Sequence, residues 1–270
     1  MPPVRSVAIV SQKGGVGKTT VALNLAFSLA RRGSKICVVD LDPQGAIGLS
    51  LTRRMAQQPG VNDWLTQRTD PGSLLVQTRL PALTLLPAGS VSGLHTRRFQ
   101  DDLEDGARLS ELLRALGGFD VVLVDTPSGF VGATLGAMRA CERSLIPVQA
   151  EPIAARTLMR TFQTLKELKA SGRGGEVLGL VLSMLQRDDP SSSAIAEDVL
   201  RTVPKSYLFD TVIPRAPAIL EASAAGVPLG LLAKRPPAAA SIFDALAAEV
   251  EARLNLRGEE PEDAPIALVD

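Results

Sequence analysis

Short, unbroken apolar runs alternate along this chain with longer stretches of helical spacing. Val4–Ser11, Lys35–Asp40, Phe119–Asp125, Ser144–Val148 and Val177–Met184 are rich in Val, Ile and Leu with little polar alternation, the pattern of strands buried on both faces of a parallel sheet. Between the first two runs, Val21, Leu25 and Leu29 and then Ala22, Ala26 and Ala30 recur at helical spacing over Lys18–Arg32, and Gly33 follows as a helix stop. Further helices are predicted over Arg108–Leu116, Ala133–Ala140, Ile153–Ala170, from about Ser192, and over Ala218–Ala225 and Ala239–Leu254. Tyr207–Val212 forms a last short strand that runs into Ile213-Pro214-Arg215. Gly48–Gly106 is the least regular segment, with a short helix over Val61–Arg68 and a strand over Leu83–Leu86. Strands alternating with helices predict an α/β fold, a mostly parallel twisted sheet flanked by helices on both faces. Residues 1–256 read as a single domain, and the acid-rich 257–270 as a disordered tail.

Composition narrows the partners rather than the fold. The 270 residues are 45% apolar, enough for one substantial core. Lys plus Arg balances Asp plus Glu at 29 each, so any surface that attracts nucleic acid or lipid must be local. Cys37 and Cys141 lie far apart without metal-ligand or disulfide spacing, which suits a reducing, cytoplasmic setting. No room for a signal peptide precedes the first strand, and no apolar run approaches a membrane span.

Chemistry concentrates at Ser11-Gln12-Lys13-Gly14-Gly15-Val16-Gly17-Lys18-Thr19-Thr20, between the first strand and its helix. Glycines let successive backbone N–H groups turn toward phosphate oxygens, and the following helix adds its positive N-terminal dipole. Lys13, Gly14, Gly15, Val16, Gly17, Lys18, Thr19 and Thr20 are therefore the nucleotide-binding candidates, with Lys18 on the β- and γ-phosphates and the Thr19 hydroxyl on Mg²⁺. The general phosphate-loop pattern asks for glycine six residues before that lysine, where Gln12 stands; a second lysine, Lys13, opens the loop instead. Asp40, Asp42 and Asp125 fall at the C-terminal ends of apolar strands, the edge at which open α/β sheets bind ligands. Asp125 in that position is a metal-holding candidate. His95, the single histidine, and Trp64, the single tryptophan, read as surface or packing residues.

The stretch K-G-G-V-G-K-T-T at 13–20 resembles the deviant Walker A motif of the ParA/MinD ATPase superfamily. The likeness continues through V-V-D-L-D-P-Q-G at 38–45, V-L-V-D-T-P at 122–127, L-I-P-V-Q at 145–149, V-I-P-R at 212–215 and E-A-S-A-A-G-V-P at 221–228. It implies a P-loop NTPase of the ParA, Soj-like branch that uses ATP, ADP and Mg²⁺. It further implies an ATP-dependent homodimer that binds nonspecific DNA, associates with the nucleoid and carries a plasmid, chromosome or protein cargo. A ParB-like or cargo-adaptor protein would stimulate hydrolysis. By position, Lys13 crosses the dimer interface, Lys18 serves its own subunit, Asp42 orients the attacking water, and Asp40 and Asp125 support the metal and the switch. Arg187, Pro214 and Arg215 fall where the family contacts the nucleotide base.

Two departures stand out. Ser128 replaces a second proline that often follows the Asp-x-Pro of the metal-binding strand, and Ala218 replaces an arginine used for DNA contact by chromosomal members. DNA contact then falls to Lys205, Arg215, Lys234 and Arg235. The alternative is a Min-like regulator cycling on membrane; such proteins end in a basic amphipathic helix, whereas Glu259–Asp270 is acidic.

Overall fold

The computed structural model describes residues 4–45, 47, 57–151, 154–172, 174–186 and 188–256, without the side chains of 154–156. The expected acidic tail and Arg187 lie outside the described residues. Strands β1 (Arg5–Ile9), β2 (Ile36–Asp40), β3 (Val76–Gln77), β4 (Leu83–Leu86), β5 (Val121–Asp125), β6 (Arg143–Gln149), β7 (Glu176–Leu185) and β8 (Leu208–Pro214) form one sheet. Their order is β3-β4-β2-β5-β1-β6-β7-β8, parallel throughout except for the antiparallel two-residue β3 at one edge. Helices α1 (Lys18–Arg31), α2 (Val61–Gln67), α3 (Thr96–Glu104), α4 (Ala107–Ala115), α5 (Gly132–Ala140), α6 (Ala154–Ala170) and α7 (Pro190–Thr202) lie between strands, and α8 (Pro217–Ala225) and α9 (Ala240–Leu254) follow β8.

Because successive strand residues face opposite ways, each central strand feeds two cores. On one side Val7 and Ile9 pack with Val21, Leu25 and Leu29 of α1 and with Phe243, Leu246 and Val250 of α9. On the other, Ala8 and Val10 join Leu103, Leu112, Met138 and Leu165. Double burial explains why the strands read as continuous apolar runs. The parallel register also brings Ile9, Asp40 and Asp125 abreast, since Asp125 pairs with both of the others. All three strand tips therefore reach the same edge, and the loop after β1 opens over two carboxylates.

No sequence pattern predicts β3 or α3, and α3 shows why. Phe99 and Leu103 are its buried residues, one turn apart, while Arg97–Asp101 and Arg98–Asp102 pair along its exposed surface. Two apolar positions make no visible period. What fixes α3 is a neighbour: a Cβ on Gly136 of α5 would come within 1.9 Å of the Leu103 carbonyl oxygen, so α5 approaches as only glycine allows. Trp64 is buried, with the Arg108 guanidinium 5.3 Å from its ring centre, and the exposed His95 bonds Ser92.

Candidate active site

Gly15 and Gly17 take φ values of +76° and +89°, a backbone region that side chains rarely adopt, and so turn the chain from β1 into α1. Lys18 is the first residue of α1 and is 8% exposed. Its ammonium donates to Ser128 Oγ at 3.2 Å. Burial pulls the Lys18 pKa down from the usual lysine range, opposed by the charges of Asp125 and Asp42. One residue on, Thr19 Oγ1 donates to Asp125 Oδ2 at 2.6 Å.

Asp40 and Asp125 are both fully buried. Burial, then the Asp125 charge, pushes the Asp40 pKa well above the carboxylate range. Burial likewise pushes Asp125 up to about 7, against the Thr19 hydrogen bond and the Lys18 charge. The two acids nevertheless have different surroundings. Asp40 accepts from the N–H groups of Asp42 and Ile47, each at 2.9 Å, and so shapes the turn that presents Asp42. Asp125 Oδ1 is buried with no hydrogen-bond partner among the described residues, leaving an unsatisfied acceptor at the tip of β5. Asp42 is half-buried and accepts from Gln44 N–H at 2.9 Å.

The second half of the site lies at the ends of β6, β7 and β8. A cleft of about 320 Å³ runs from Gly15 and Gly17 to Met184, Pro214 and Arg215. Lys13, half-exposed at the loop entrance, forms an ion pair with Glu151 just beyond β6.

The AAA domain family AAA_31 matches residues 4–174. The chromosome partitioning protein ParA of Caulobacter vibrioides is 34% identical over 238 residues, covering 84% of this chain and 86% of that protein. The chain belongs to the ParA/MinD ATPase superfamily, on the Soj-like ParA branch. Its structure is similar to that of the cell division ATPase MinD of Pyrococcus furiosus, with a TM-score of 0.75 and 31% identity over 92% of this chain and 98% of that one. A second neighbour is the septum site-determining protein MinD of Pyrococcus horikoshii complexed with Mg-ADP, with a TM-score of 0.74, 28% identity, and coverage of 92% and 96%. The protein is thus an ATPase related to proteins of chromosome partition and cell division.

Within this ATPase, Pro214 and Arg215 border the cleft that opens from the phosphate loop. The cations expected to meet DNA sit in different segments of the chain. Lys205, Arg215, Lys234 and Arg235 are all exposed, but Lys205 precedes β8 and Arg215 follows it. The seven-residue strand between them is about 20 Å long. Ala218 is half-buried and packs against the α1–α9 core. Sequence reasoning passed over Glu151, Ser183 and Met184, which touch the loop from more than 130 residues away and follow no local pattern. Ser128 did leave a signal. It was visible as a departure from the family's proline, and its hydroxyl is the group that receives Lys18.

Proposed function

We propose that this ATPase is a dimerising switch: with ATP it pairs face to face around two nucleotides, binds DNA without sequence preference, and carries a cargo until a partner protein stimulates hydrolysis. The observation that supports this best is the division between the loop's two lysines. Lys18 is buried beside Asp125 and Asp42, placed for the phosphates of its own nucleotide. Lys13 is half-exposed at the loop entrance and held by Glu151. A lysine so placed is free to exchange one anion for another, and in the dimer it reaches the partner's phosphates. Phosphoryl transfer needs charge neutralisation and a positioned water more than covalent chemistry, so a lysine supplied in trans makes hydrolysis depend on pairing.

The residues present fit Mg²⁺. Thr19 and Asp125 converge, and the unpartnered Asp125 Oδ1 is the kind of hard oxygen acceptor that the ion or its bound water satisfies. Mg²⁺ bound there would neutralise charge on the nucleotide's β- and γ-oxygens. Asp42 orients the attacking water, on a turn pinned by Asp40. Pro214 and Arg215 enclose the base, and Arg187 belongs to the same group by sequence position. We place the protein in the cytoplasm on the nucleoid, with a plasmid, a chromosome or a large protein assembly as cargo and a ParB-like or cargo-adaptor protein as partner.

The likeness to MinD favours a second reading, a Min-like regulator that cycles on membrane. One experiment separates the two. Asp42→Ala protein, which retains ATP without hydrolysing it, is tested for retention on random duplex DNA and on anionic vesicles, each with ATP or ADP. The expected result is an accumulated dimer that holds DNA with ATP alone, weakening ~10-fold or more between 50 and 200 mM salt. Vesicle binding without DNA binding transfers the protein to the Min-like class. A monomer with ATP, or unchanged turnover, removes Asp42 from its role.

A further inference from the structure

At the end of β7 the backbone leaves regular strand geometry. Met184 has φ +55°, in the left-handed region that a residue other than glycine rarely takes. The β7–β8 register also shifts between Leu182 and Leu185. In a regular strand Ser183 and Met184 would face opposite ways. Here both reach the phosphate loop. The Ser183 hydroxyl, 2% exposed, donates to the Val16 carbonyl oxygen at 2.9 Å. Met184 Cε lies 3.5 Å from the point where a Cβ on Gly17 would stand. A residue in a sparsely populated conformation persists where its surroundings hold it there, and such residues cluster at functional sites.

The peptide unit between Val16 and Gly17 is planar, so its C=O and N–H point in opposite directions. Fixing the carbonyl on Ser183 turns the Gly17 N–H away from β7. Flipped, the same unit would present a carbonyl oxygen where a phosphate needs a donor. We propose that Ser183 is a positioning residue for the nucleotide: by holding the Val16 carbonyl it presets the Gly17 N–H as a donor to phosphate oxygen, with Met184 as the stop against Gly17. This deepens the phosphate-loop reading and rests on it.

The test uses the full chain labelled with ¹⁵N-glycine and titrated with MgADP. Ser183→Ala should bind MgADP about 3- to 10-fold more weakly, the size of one lost hydrogen bond. It should also lose most of the nucleotide-induced shift of the Gly17 amide signal. Ser183→Thr, which keeps the hydroxyl, should restore both. Wild-type affinity and an unchanged Gly17 shift in Ser183→Ala, or a threonine variant no better than alanine, overturns the proposal. If the alanine variant does not fold, Ser183→Cys decides: its weaker donor should place it below Ser183→Thr in affinity, and equality with wild type overturns the proposal. Lys18→Ala separates the two levels. Wild-type MgADP binding by that variant sinks the phosphate-loop reading itself, whereas its failure beside a normal Ser183→Ala sinks the role of Ser183 alone.

Discussion

The carboxyl edge of the sheet has two halves of different chemistry. At β1, β2 and β5 the site is built from buried charge: Lys18, Asp40 and Asp125 are at most 8% exposed, and the charge of Asp125 acts on both Lys18 and Asp40. At β6, β7 and β8 the buried part is built from shape and neutral contacts, with Ser183 on the loop and Met184 and Pro214 beside the cleft, and its charges, Glu151 and Arg215, stand toward solvent. The first half carries a standing electrostatic cost, because ions out of water are destabilised unless paired, and Asp125 has an oxygen without a partner among the described residues. A bound cation and its nucleotide relieve that cost. The second half carries no such cost and is already braced. Charge therefore waits for the ligand, while shape is set in advance.

The largest expected effect breaks the charged half outright. Lys18→Ala leaves the β/γ-phosphate charge uncompensated and should weaken ATP binding ~100-fold or more, measured by titration calorimetry. Near-normal affinity would mean that the cleft half, rather than the charged half, supplies the binding energy.

Asp125→Asn sharpens the comparison through pH. In the folded chain burial pushes the Asp125 carboxyl up to about 7, above the ordinary carboxylate value of 3.8. Between those values the folded protein holds a proton that the unfolded chain has released, so this group's contribution to stability falls as pH rises from about 4 to 7. Removing the charge should stabilise the nucleotide-free protein by about 1–3 kcal/mol at pH 8 and by almost nothing at pH 3.5, read from urea unfolding. The same variant should bind Mg²⁺-nucleotide less tightly. A gain that does not depend on pH would place the effect in packing instead of charge.

The smallest effect lies where the halves meet. Lys13 and Glu151 are each more than a third exposed, so their pairing is worth at most about 1 kcal/mol. Glu151→Gln should lower the protein concentration needed for the ATP-bound dimer by up to about 25-fold, about 5-fold for each of the two subunits, followed by analytical ultracentrifugation. Lys13→Gln should still bind ATP but lose the dimer or its stimulated turnover. If Glu151→Gln dimerises more weakly than wild type, Glu151 supports the interface rather than restraining Lys13.

Much of this site is legible in the sequence. The β1 loop, Asp40 and Asp125 could be read because each lies at the end of a short buried strand within a local pattern, and glycine, lysine and aspartate in that pattern have few other uses. Helix α3 was illegible: its partner-facing surface is two residues wide, and Gly136 on another helix creates the room for it. The sequence by itself determined the alternating strands and helices, the phosphate loop with its two lysines, and the acids at the strand tips, since these follow from side-chain period and backbone sterics over a few neighbouring residues. The tertiary structure alone decided that Ser128 receives Lys18, that Glu151 receives Lys13, that Ser183 holds the Val16 carbonyl with Met184 close to Gly17, and that β8 lies between Lys205 and Arg215. Those contacts join segments brought together by strand order, and strand order is fixed by the packing of whole faces rather than by any residue's neighbours in the chain.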